Sequence, residues 1–383
     1  MKNVTAAWSR RNFINALGIA GAGTALMLNP LAAWAMEDDM DARVAAIVAA
    51  TMGIDTHNHI DVPLHKAEVP GPKIDLYGEM KRSGLSAICM TFAVDYQRMG
   101  NPGEAYDRFI NGLTAMDQQL KYNNMQRSLN LADLRAAHKK HQPTVIQSVE
   151  GGHFLEGKLE RLTEAYQRGL RHLTLLHDSD ASVPLGDVFT NPAQWGGLTA
   201  FGADVIRECN RLGILVDMGH ANAETVAAAL KVTHHPIIIS HTGLDTRPGQ
   251  NEQMARMMKP RLISREQAKV VADTGGIIGV WTHLADSPAA YAENVKAMAD
   301  VVGIDHVCIG TDTKMTPEYR APGTDNNRRM GSTSNQTWPN QQFGFYYTVV
   351  KALLETGFTA AEIGKFGGGN FCRVFDAATA GHR

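Results

Sequence analysis

The chain has 383 residues, of which 44% are apolar and 20% are charged, a composition that excludes disordered and fibrous architectures and is typical of a globular protein. Leaving out the first 35 residues removes Lys2, Arg10 and Arg11 but no acid, so 37 Lys+Arg against 39 Asp+Glu becomes 34 against 39, a net charge of −5. This acidic balance argues against a nucleic-acid-binding protein.

The first 35 residues have the pattern of an export signal. SRRNFI (9–14) precedes a weakly apolar, Gly/Ala-rich stretch (16–28) and AWA (33–35), a small-x-small site of the kind that signal peptidase cleaves. The order resembles a twin-arginine signal, which implies the twin-arginine export machinery as a partner. Asn15, Gly18 and Gly21 keep the apolar run below the roughly 18 residues of a spanning helix, so we expect no stable membrane span. The mature chain, 36–383, is expected in a bacterial periplasm or outside the cell.

From residue 50 onward, short apolar runs of strand length alternate with helical stretches. The runs lie at 52–54, 85–94, 144–149, 172–176, 214–218, 236–239, 276–281 and 306–309. Apolar residues at three-and-four spacing predict helices at 131–141, 159–169, 198–213, 223–233, 264–274 and 289–303. Strand then helix, repeated about eight times, predicts one (β/α)₈ TIM-type barrel over 36–383. A doubly wound open sheet is the alternative, but no GxGxxG follows the first run and no GxxxxGK[ST] occurs.

The apolar runs end in a small set of polar residue types. The first run stops at DTHNH (55–59), and later runs lead into Glu150, His177, His220, His241 and Asp312. In a barrel the carboxyl ends of the strands meet at one mouth, where active sites are built. The sequence therefore predicts that these side chains converge.

The converging residues have the chemistry of a metal site. His57 and His59 are two residues apart, so both point to the same face of a strand. With the histidines that follow runs five and six and with Glu150, they give four imidazoles and one carboxylate, a set that suits zinc or a similar divalent ion. Any one histidine alone would more often be a core residue. Five ligands exceed the three that a catalytic single zinc takes, which favours two ions bridged by Glu150, although one ion stays possible.

Other polar features are interpreted as structural. The remaining histidines lie in predicted helices, loops or strand starts, and we expect them to be structural or exposed. His153 and His283 are the two exceptions whose positions relative to the site should be examined. The triple glycine at 367–369 follows a predicted helix at 360–366 and predicts a turn into the last segment rather than a phosphate loop.

Eight segments, in order, resemble the renal (membrane) dipeptidase family, peptidase family M19, within the amidohydrolase-like metal barrels. They are SVEGGH (148–153), LTLLH (173–177), GLTAFG (197–202), RLGILVDMGH (211–220), ISHT (239–242), GGIIGV (275–280), IGTD (309–312) and GGNF (368–371). The resemblance spans about residues 50 to 376. It implies a two-zinc barrel that hydrolyses dipeptides, in some members with a D-configured or dehydro C-terminal residue, and in a few members β-lactams.

The resemblance also implies a role for each metal ligand. His57 and the residue two after it would hold one zinc, Glu150 would bridge, and His220 and His241 would hold the second. This assignment uses the same residues that the strand ends supply.

Three further residues receive roles from the resemblance. His177 would lie over the substrate and stabilise the oxyanion, and Asp312 would be the catalytic acid/base. A carboxylate beside the ions is also the natural proton shuttle on chemical grounds. Arg261 matches the family's arginine that binds the substrate carboxylate, which suits a guanidinium fork, while a solvated arginine at a helix start is the alternative.

The first ligand pair departs from the family pattern. The family has DGHND where this chain has DTHNH (55–59), so His59 replaces a metal-binding aspartate and leaves the cluster one charge more positive. An alternative register pairs HIDVP (59–63) with the family's HNDLP and makes His59 and Asp61 the ligands. The first register is favoured because Asp55 and its strand then stay in step.

The sequence thus predicts a zinc-dependent dipeptidase that acts on a small peptide. One alternative is a tailoring enzyme with the same barrel that acts on a peptide-derived metabolite such as a siderophore precursor, which the changed first ligand would accommodate. Another is a non-catalytic metal- or peptide-binding barrel, against which the presence of both Asp312 and His177 argues. The substrate's stereochemistry, the native metal and a homodimeric state stay open.

Overall fold

The structure, a computed structural model, describes residues 30–96, 99–249, 251–319, 333–339 and 341–382. The predicted export signal lies outside these residues apart from 30–35, which fall in helix α1, Pro30–Ala50. Within the described ranges, no helix combines the length and the apolar character needed to cross a membrane.

Eight parallel strands close into a barrel. They are β1 Ile54–His59, β2 Ala87–Thr91, β3 Thr144–Glu150, β4 Leu170–Thr174, β5 Leu215–Asp217, β6 Ile238–Thr242, β7 Ile277–Val280 and β8 Val307–Ile309. Strands β2 to β8 pair in chain order, and β1 pairs with both β2 and β8. A short strand β9, Thr313–Lys314, extends the pairing with β1 beyond the end of β8. The predicted (β/α)₈ barrel is confirmed.

Helices cover the outside of the barrel. They are α2 Leu76–Ser83, α3 Glu104–Tyr122, α4 Leu131–Lys139, α5 Glu160–Gln167, α6 Ala200–Leu212, α7 Ala223–Ala229, α8 Glu252–Met258, α9 Arg265–Asp273, α10 Pro288–Val302, α11 Phe345–Glu355, α12 Ala360–Gly364 and α13 Asn370–Thr379. Short polar side chains set several of their starts, since Asn130, Thr199 and Ser264 each accept a hydrogen bond from a first-turn amide. All six helices predicted between the apolar runs are present.

The amino-terminal end of the barrel is filled with apolar side chains. The first residues of the strands, among them Ile54, Leu215 and Ile238, pack with Phe371 and Phe375 of α13 in one buried cluster. Burial of these side chains removes a large apolar area from water, which favours the closed barrel. Because this end is plugged, the opposite end, where the strands finish, is left to carry the site.

The position of the first strand differs from the prediction at 52–54. Strand β1 contains the polar DTHNH segment, and Asp55, Asn58 and His59 pair with residues of β2. The buried Asp55 carboxylate accepts hydrogen bonds from the Thr311 hydroxyl (2.6 Å) and the Asn58 amide (2.9 Å). These bonds offset part of the cost of burying the Asp55 carboxyl group, whose pKa burial still raises above its usual value. A polar segment thus forms a buried strand that hydropathy alone misplaces.

The triple glycine does not form the predicted turn. A π-helical turn, Lys365–Gly369, joins α12 directly to α13. A Cβ on Gly368 would lie 1.9 Å from the backbone oxygen of Met52, and one on Gly367 would lie 2.1 Å from the Tyr346 hydroxyl. Gly368 therefore permits close packing against the residues just before β1, and Gly367 permits close packing against α11.

Candidate metal centre

Five histidine Nε2 atoms surround the buried carboxylate of Glu150, the last residue of β3. Their distances to a Glu150 oxygen are 2.9 Å for His220, 3.2 Å for His57, 3.3 Å for His177, 3.6 Å for His59 and 3.7 Å for His241. All of these side chains are buried. The structure therefore brings the five predicted ligands together and places His177 among them.

Strand geometry explains the convergence. The pleat of β1 puts His57 and His59 on one face, and their Nε2 atoms lie 3.2 Å apart. His220 follows β5 and Asp312 lies between β8 and β9, both with left-handed backbone, at φ 65° and 55°. Non-glycine residues in this region cost about 1 kcal/mol or more, and such strain is concentrated at functional sites.

Each imidazole in the cluster has a polar partner for its other nitrogen, Nδ1. The partners are Ser240 Oγ for His57 (3.2 Å) and His241 (2.9 Å), Tyr96 Oη for His59 (2.8 Å), Asp178 Oδ1 for His220 (3.0 Å) and Asp95 Oδ1 for His177 (2.6 Å). A bond of this kind fixes the ring orientation and turns Nε2 toward Glu150, which is the usual arrangement around metal-binding histidines.

Ser240 fixes two of these imidazoles at once. Its hydroxyl donates its single hydrogen to Asp217 Oδ2 (2.6 Å), so toward His57 and His241 it can act only as an acceptor. Both rings therefore carry a hydrogen on Nδ1 and turn Nε2 toward Glu150. The backbone at Ser240 has room inside the barrel because Gly279 and Gly310 face it, and a Cβ on either would lie within 1.8 Å of the Ser240 oxygen.

The donor set fits divalent ions. Nitrogen ligands at about 2.0–2.1 Å from a tetrahedral zinc lie about 3.3 Å from each other. The pairs His57–His59 and His220–His241 have Nε2 separations of 3.2 and 3.1 Å. Glu150 Oε2, buried between the pairs, has no hydrogen-bond partner. Two converging nitrogen pairs with a carboxylate between them would supply the ligands of a divalent metal.

Strong electrostatic coupling accompanies this geometry. Burial alone would raise the pKa of Glu150, but the charges of His177 and His57 and the hydrogen bond from His220 hold it well below its usual range. Burial would lower the pKa of His57 and His220, but the Glu150 charge raises that of His57 to about 9. Hydrogen bonds to Asp178 and Glu150 raise that of His220 to about 10.

Metal binding should consequently release protons and strengthen as the pH rises. With pKa values near 9 and 10, His57 and His220 are protonated at neutral pH in the metal-free protein, and each must lose a proton before Nε2 binds an ion. We expect about two protons released per chain at pH 7, and metal affinity that increases from about pH 6.5 to 8.5. Calorimetric titration with zinc in buffers of different ionisation enthalpy measures the release. An affinity that stays flat over this range would count against ligation by these two histidines.

Asp312 lies at the edge of the cluster and is partly open to solvent. Its Oδ1 is 3.1 Å from His59 Nε2, and its Oδ2 is 3.5 Å from His283 Nε2. Burial would raise the pKa of Asp312, but His241 and His59 hold it well below its usual range, so the carboxylate is ionised and able to accept a proton. The His283 ring stacks on the Trp281 ring, with the ring centroids 5.4 Å apart. His283, one of the two histidines singled out from the sequence, therefore lies beside the site.

Arg261 faces a cavity that begins at the metal cluster. The cavity has a volume of about 510 Å³, and its walls include His220, His241, Phe189 and side chains of α7 and α9. The Arg261 guanidinium donates to Asp178 Oδ2 (2.6 Å) and is 5.6 Å from the centre of the Phe189 ring. Arg261 is thus held at the site and is not a freely solvated arginine.

The geometry also separates the two alternatives for the first ligand pair. Asp61 forms an ion pair with Lys314, whereas His57 lies within the cluster of imidazoles. His153, the second histidine marked for comparison, points its Nε2 to the carboxylate of Asp95 (3.5 Å) and to the Ser179 oxygen (2.9 Å), away from Glu150. The observed contacts support the register with His57 and His59.

Several functional contacts come from residues that sequence reasoning missed. They are Asp95, Tyr96, Asp178, Asp217 and Ser240, each of which holds or orients a member of the cluster. Their common signal is position, because each lies in or shortly after the end of a barrel strand. Asp217 and Ser240 lie inside the family segments RLGILVDMGH and ISHT, but neither was given a role, and Asp95, Tyr96 and Asp178 lie in none of the quoted segments.

The family model for membrane dipeptidase, peptidase family M19, matches residues 41–322, most of the chain. The chain belongs to this family. Family membership confirms the predicted resemblance and the prediction of a metal-dependent dipeptidase; it implies a divalent metal, for which the clusters of His57, Glu150 and their neighbours provide candidate ligands.

Solved structures share the barrel of this membrane dipeptidase family member. An amidohydrolase from Pseudomonas aeruginosa is 21% identical, with TM-score 0.68, over 88% of this chain and 98% of its own. The probable dipeptidase PvdM from the same organism is 16% identical, with TM-score 0.70, over 89% and 98%. A metallopeptidase from Rhodobacter sphaeroides, liganded with a phosphinate mimic of L-Ala-D-Ala, is 15% identical, with TM-score 0.62, over 85% and 99%. At these identities the likeness concerns the fold.

Proposed function

We propose that this protein hydrolyses dipeptides with two zinc ions held by His57, His59, Glu150, His220 and His241. One observation carries the proposal, namely that five imidazole Nε2 atoms lie within 3.7 Å of one buried carboxylate, next to a cavity that Arg261 lines. The cavity, about 510 Å³, lies within the volume range of small-molecule sites, and His220 and His241 are the members of the cluster that line it. The phosphinate-bound metallopeptidase of the same barrel fold makes L-Ala-D-Ala a natural first substrate to test.

The bound ions would supply Lewis acidity to the carbonyl and lower the pKa of the attacking water. Ionised Asp312 accepts a proton from that water and returns it to the leaving amine. His177, whose Nδ1 bonds to Asp95, presents Nε2 toward the cluster and donates to the developing oxyanion. For His177, burial would lower the pKa, but Glu150 and Asp95 raise it, which favours the protonated donor.

Arg261 binds the substrate's C-terminal carboxylate in this proposal, so removing that carboxylate should cost most of the rate. We expect L-Ala-D-Ala amide to be hydrolysed with a kcat/KM about tenfold to a hundredfold below that of the free acid, since a charge-assisted contact is lost. In the matched variant Arg261→Gln the preference for the acid should disappear. Equal rates for acid and amide in the unaltered enzyme would reject this role for Arg261.

The changed first ligand supports one alternative. His59 stands where the family has an aspartate, so the cluster is more positive, and it bonds to Tyr96, which is part of the mouth. A tailoring reaction on a peptide-derived metabolite at the same centre is therefore the second candidate. Bound metal without turnover of any dipeptide in a broad panel would favour it.

We also infer export through the twin-arginine machinery and a periplasmic location. The twin arginines, the Gly/Ala-rich stretch and AWA (33–35) support this inference. Twin-arginine export carries folded proteins, which suits a protein that acquires its metal before it leaves the cytoplasm. Replacement of Arg10 and Arg11 by lysine should leave the protein in the cytoplasmic fraction.

A further inference from the structure

Asp178 contacts both the metal cluster and the carboxylate anchor, which is Arg261, the residue proposed to bind the substrate carboxylate. Its Oδ1 lies 3.0 Å from His220 Nδ1, and its Oδ2 lies 2.6 Å from Arg261 Nη2. The two partners have different tasks, because His220 faces Glu150 while Arg261 faces the cavity. One carboxylate thus joins two parts of the site that are far apart in the chain.

The contact to His220 determines what its Nε2 can do. An imidazole that donates Nδ1–H to a carboxylate is fixed in one tautomer, presents a lone pair on Nε2 and becomes a stronger base. The Phe189 ring also stacks on the His220 ring, with the ring centroids 5.2 Å apart, but an apolar ring cannot accept the Nδ1 hydrogen as a carboxylate does. The orientation of the His220 ring and the hydrogen on its Nδ1 therefore depend on Asp178.

The contact to Arg261 prepares the anchor for substrate. Arg261 ends a short 3₁₀ turn, Lys259–Arg261, and its side chain is a quarter exposed, so without a partner it would sample several rotamers. Asp178 holds one terminal nitrogen, and the guanidinium has five N–H donors in all, which leaves donors for a second carboxylate. Ordering the side chain in advance reduces the entropic cost of binding.

We propose that Asp178 is a positioning residue that holds the side chains of both the metal ligand His220 and the carboxylate anchor Arg261 in place. Metal affinity and preference for substrates with a free carboxylate then depend on one side chain. The Arg261 half rests on the proposed function, whereas the His220 half requires only that the cluster binds a metal.

The test compares Asp178→Ala with Asp180→Ala in the full protein. Asp180 lies two residues later in the same loop, is exposed and accepts a hydrogen bond from Gln194 (3.3 Å), so it is a matched control. Competition with a chromogenic chelator should show zinc affinity reduced about tenfold to a hundredfold by Asp178→Ala and unchanged by Asp180→Ala. The KM for L-Ala-D-Ala should rise about tenfold, while the KM for its amide stays the same.

Two results would overturn the proposal. Unchanged zinc affinity in a folded Asp178→Ala protein, with folding checked by circular dichroism, would show that Asp178 does not position His220 for metal binding. A KM that rises equally for the acid and the amide would show that Asp178 does not act through Arg261. The zinc titration needs no substrate, so a protein that hydrolyses no dipeptide would contradict the proposed function and still decide the His220 half. Arg261→Gln, which should alter the KM for the acid without altering zinc affinity, separates the two contacts.

Discussion

Replacing Glu150 by glutamine should remove most of the bound metal and reduce turnover by at least about a thousandfold. The carboxylate is buried, lies among five imidazoles and is the only acidic side chain among the proposed ligands. A neutral amide presents one oxygen acceptor and two N–H donors to these nitrogens, so it can neither bridge two ions nor balance their charge. Losing the Lewis acid removes several kcal/mol of transition-state stabilisation, and about 4 kcal/mol corresponds to a thousandfold.

The control for this variant is Glu208→Gln. Glu208, a half-buried residue of α6, pairs with the exposed Arg211 on the outside of the barrel, so its replacement should affect neither metal content nor activity. Metal content and the kcat for L-Ala-D-Ala are measured on both proteins after the same purification. Full metal occupancy in Glu150→Gln would show that the histidines bind without the bridge, and the two-ion arrangement proposed here would be wrong.

Replacing Asp312 by asparagine should leave the metal in place and abolish most of the turnover. Its carboxylate lies at the open edge of the cluster, 3.1 Å from His59 and with a pKa well below its usual range, because His241 and His59 outweigh the effect of burial. Asparagine keeps the size but cannot accept and return a proton, and loss of general acid/base catalysis costs about 10²- to 10⁴-fold in kcat.

The metal content of Asp312→Asn decides between two roles. Asp312 also forms a compact group with His57 and His59 that could itself hold an ion. Loss of metal together with activity would make Asp312 a ligand and would leave the proton transfer to another group, for which His283, 3.5 Å away, is the nearest candidate. Asp305→Asn, a surface aspartate that pairs with Lys365, is the control and should change neither quantity.

The fold could be predicted from the sequence because apolar runs and helical periodicity are local. Six of the eight predicted strands share three or more residues with the observed strands, whereas the run 236–239 shares two with β6 and the run 52–54 shares only Ile54 with β1. Strand β1 contains DTHNH, whose burial depends on Asp55 accepting hydrogen bonds from Thr311, 256 residues away. The glycines at 367–369 show the same limit, since their role is contact with Met52 and Tyr346. Packing partners distant in the chain decide both cases.

The candidate site, like the fold, was only partly predictable from the sequence. The eight predicted site residues, from His57 to Asp312, all lie at or beside the cluster, because strand ends meet at one mouth. The roles of Asp178, Ser240 and Asp217 were not predicted, although the last two lie in family segments, because each role depends on which nitrogen or hydroxyl the side chain contacts. Short polar residues of this kind are common after strands, and only the assembled barrel shows their partners.

The most direct test of the central claim is metal analysis and dipeptide hydrolysis on one sample of protein purified without chelators. Mass spectrometry should find about two zinc ions per chain, as expected for a bridged pair. The same sample should hydrolyse L-Ala-D-Ala, lose that activity when a chelator removes the metal and regain it when zinc returns. Hydrolysis that persists in metal-free protein, or a fully metal-loaded protein that cleaves no dipeptide, would contradict the account.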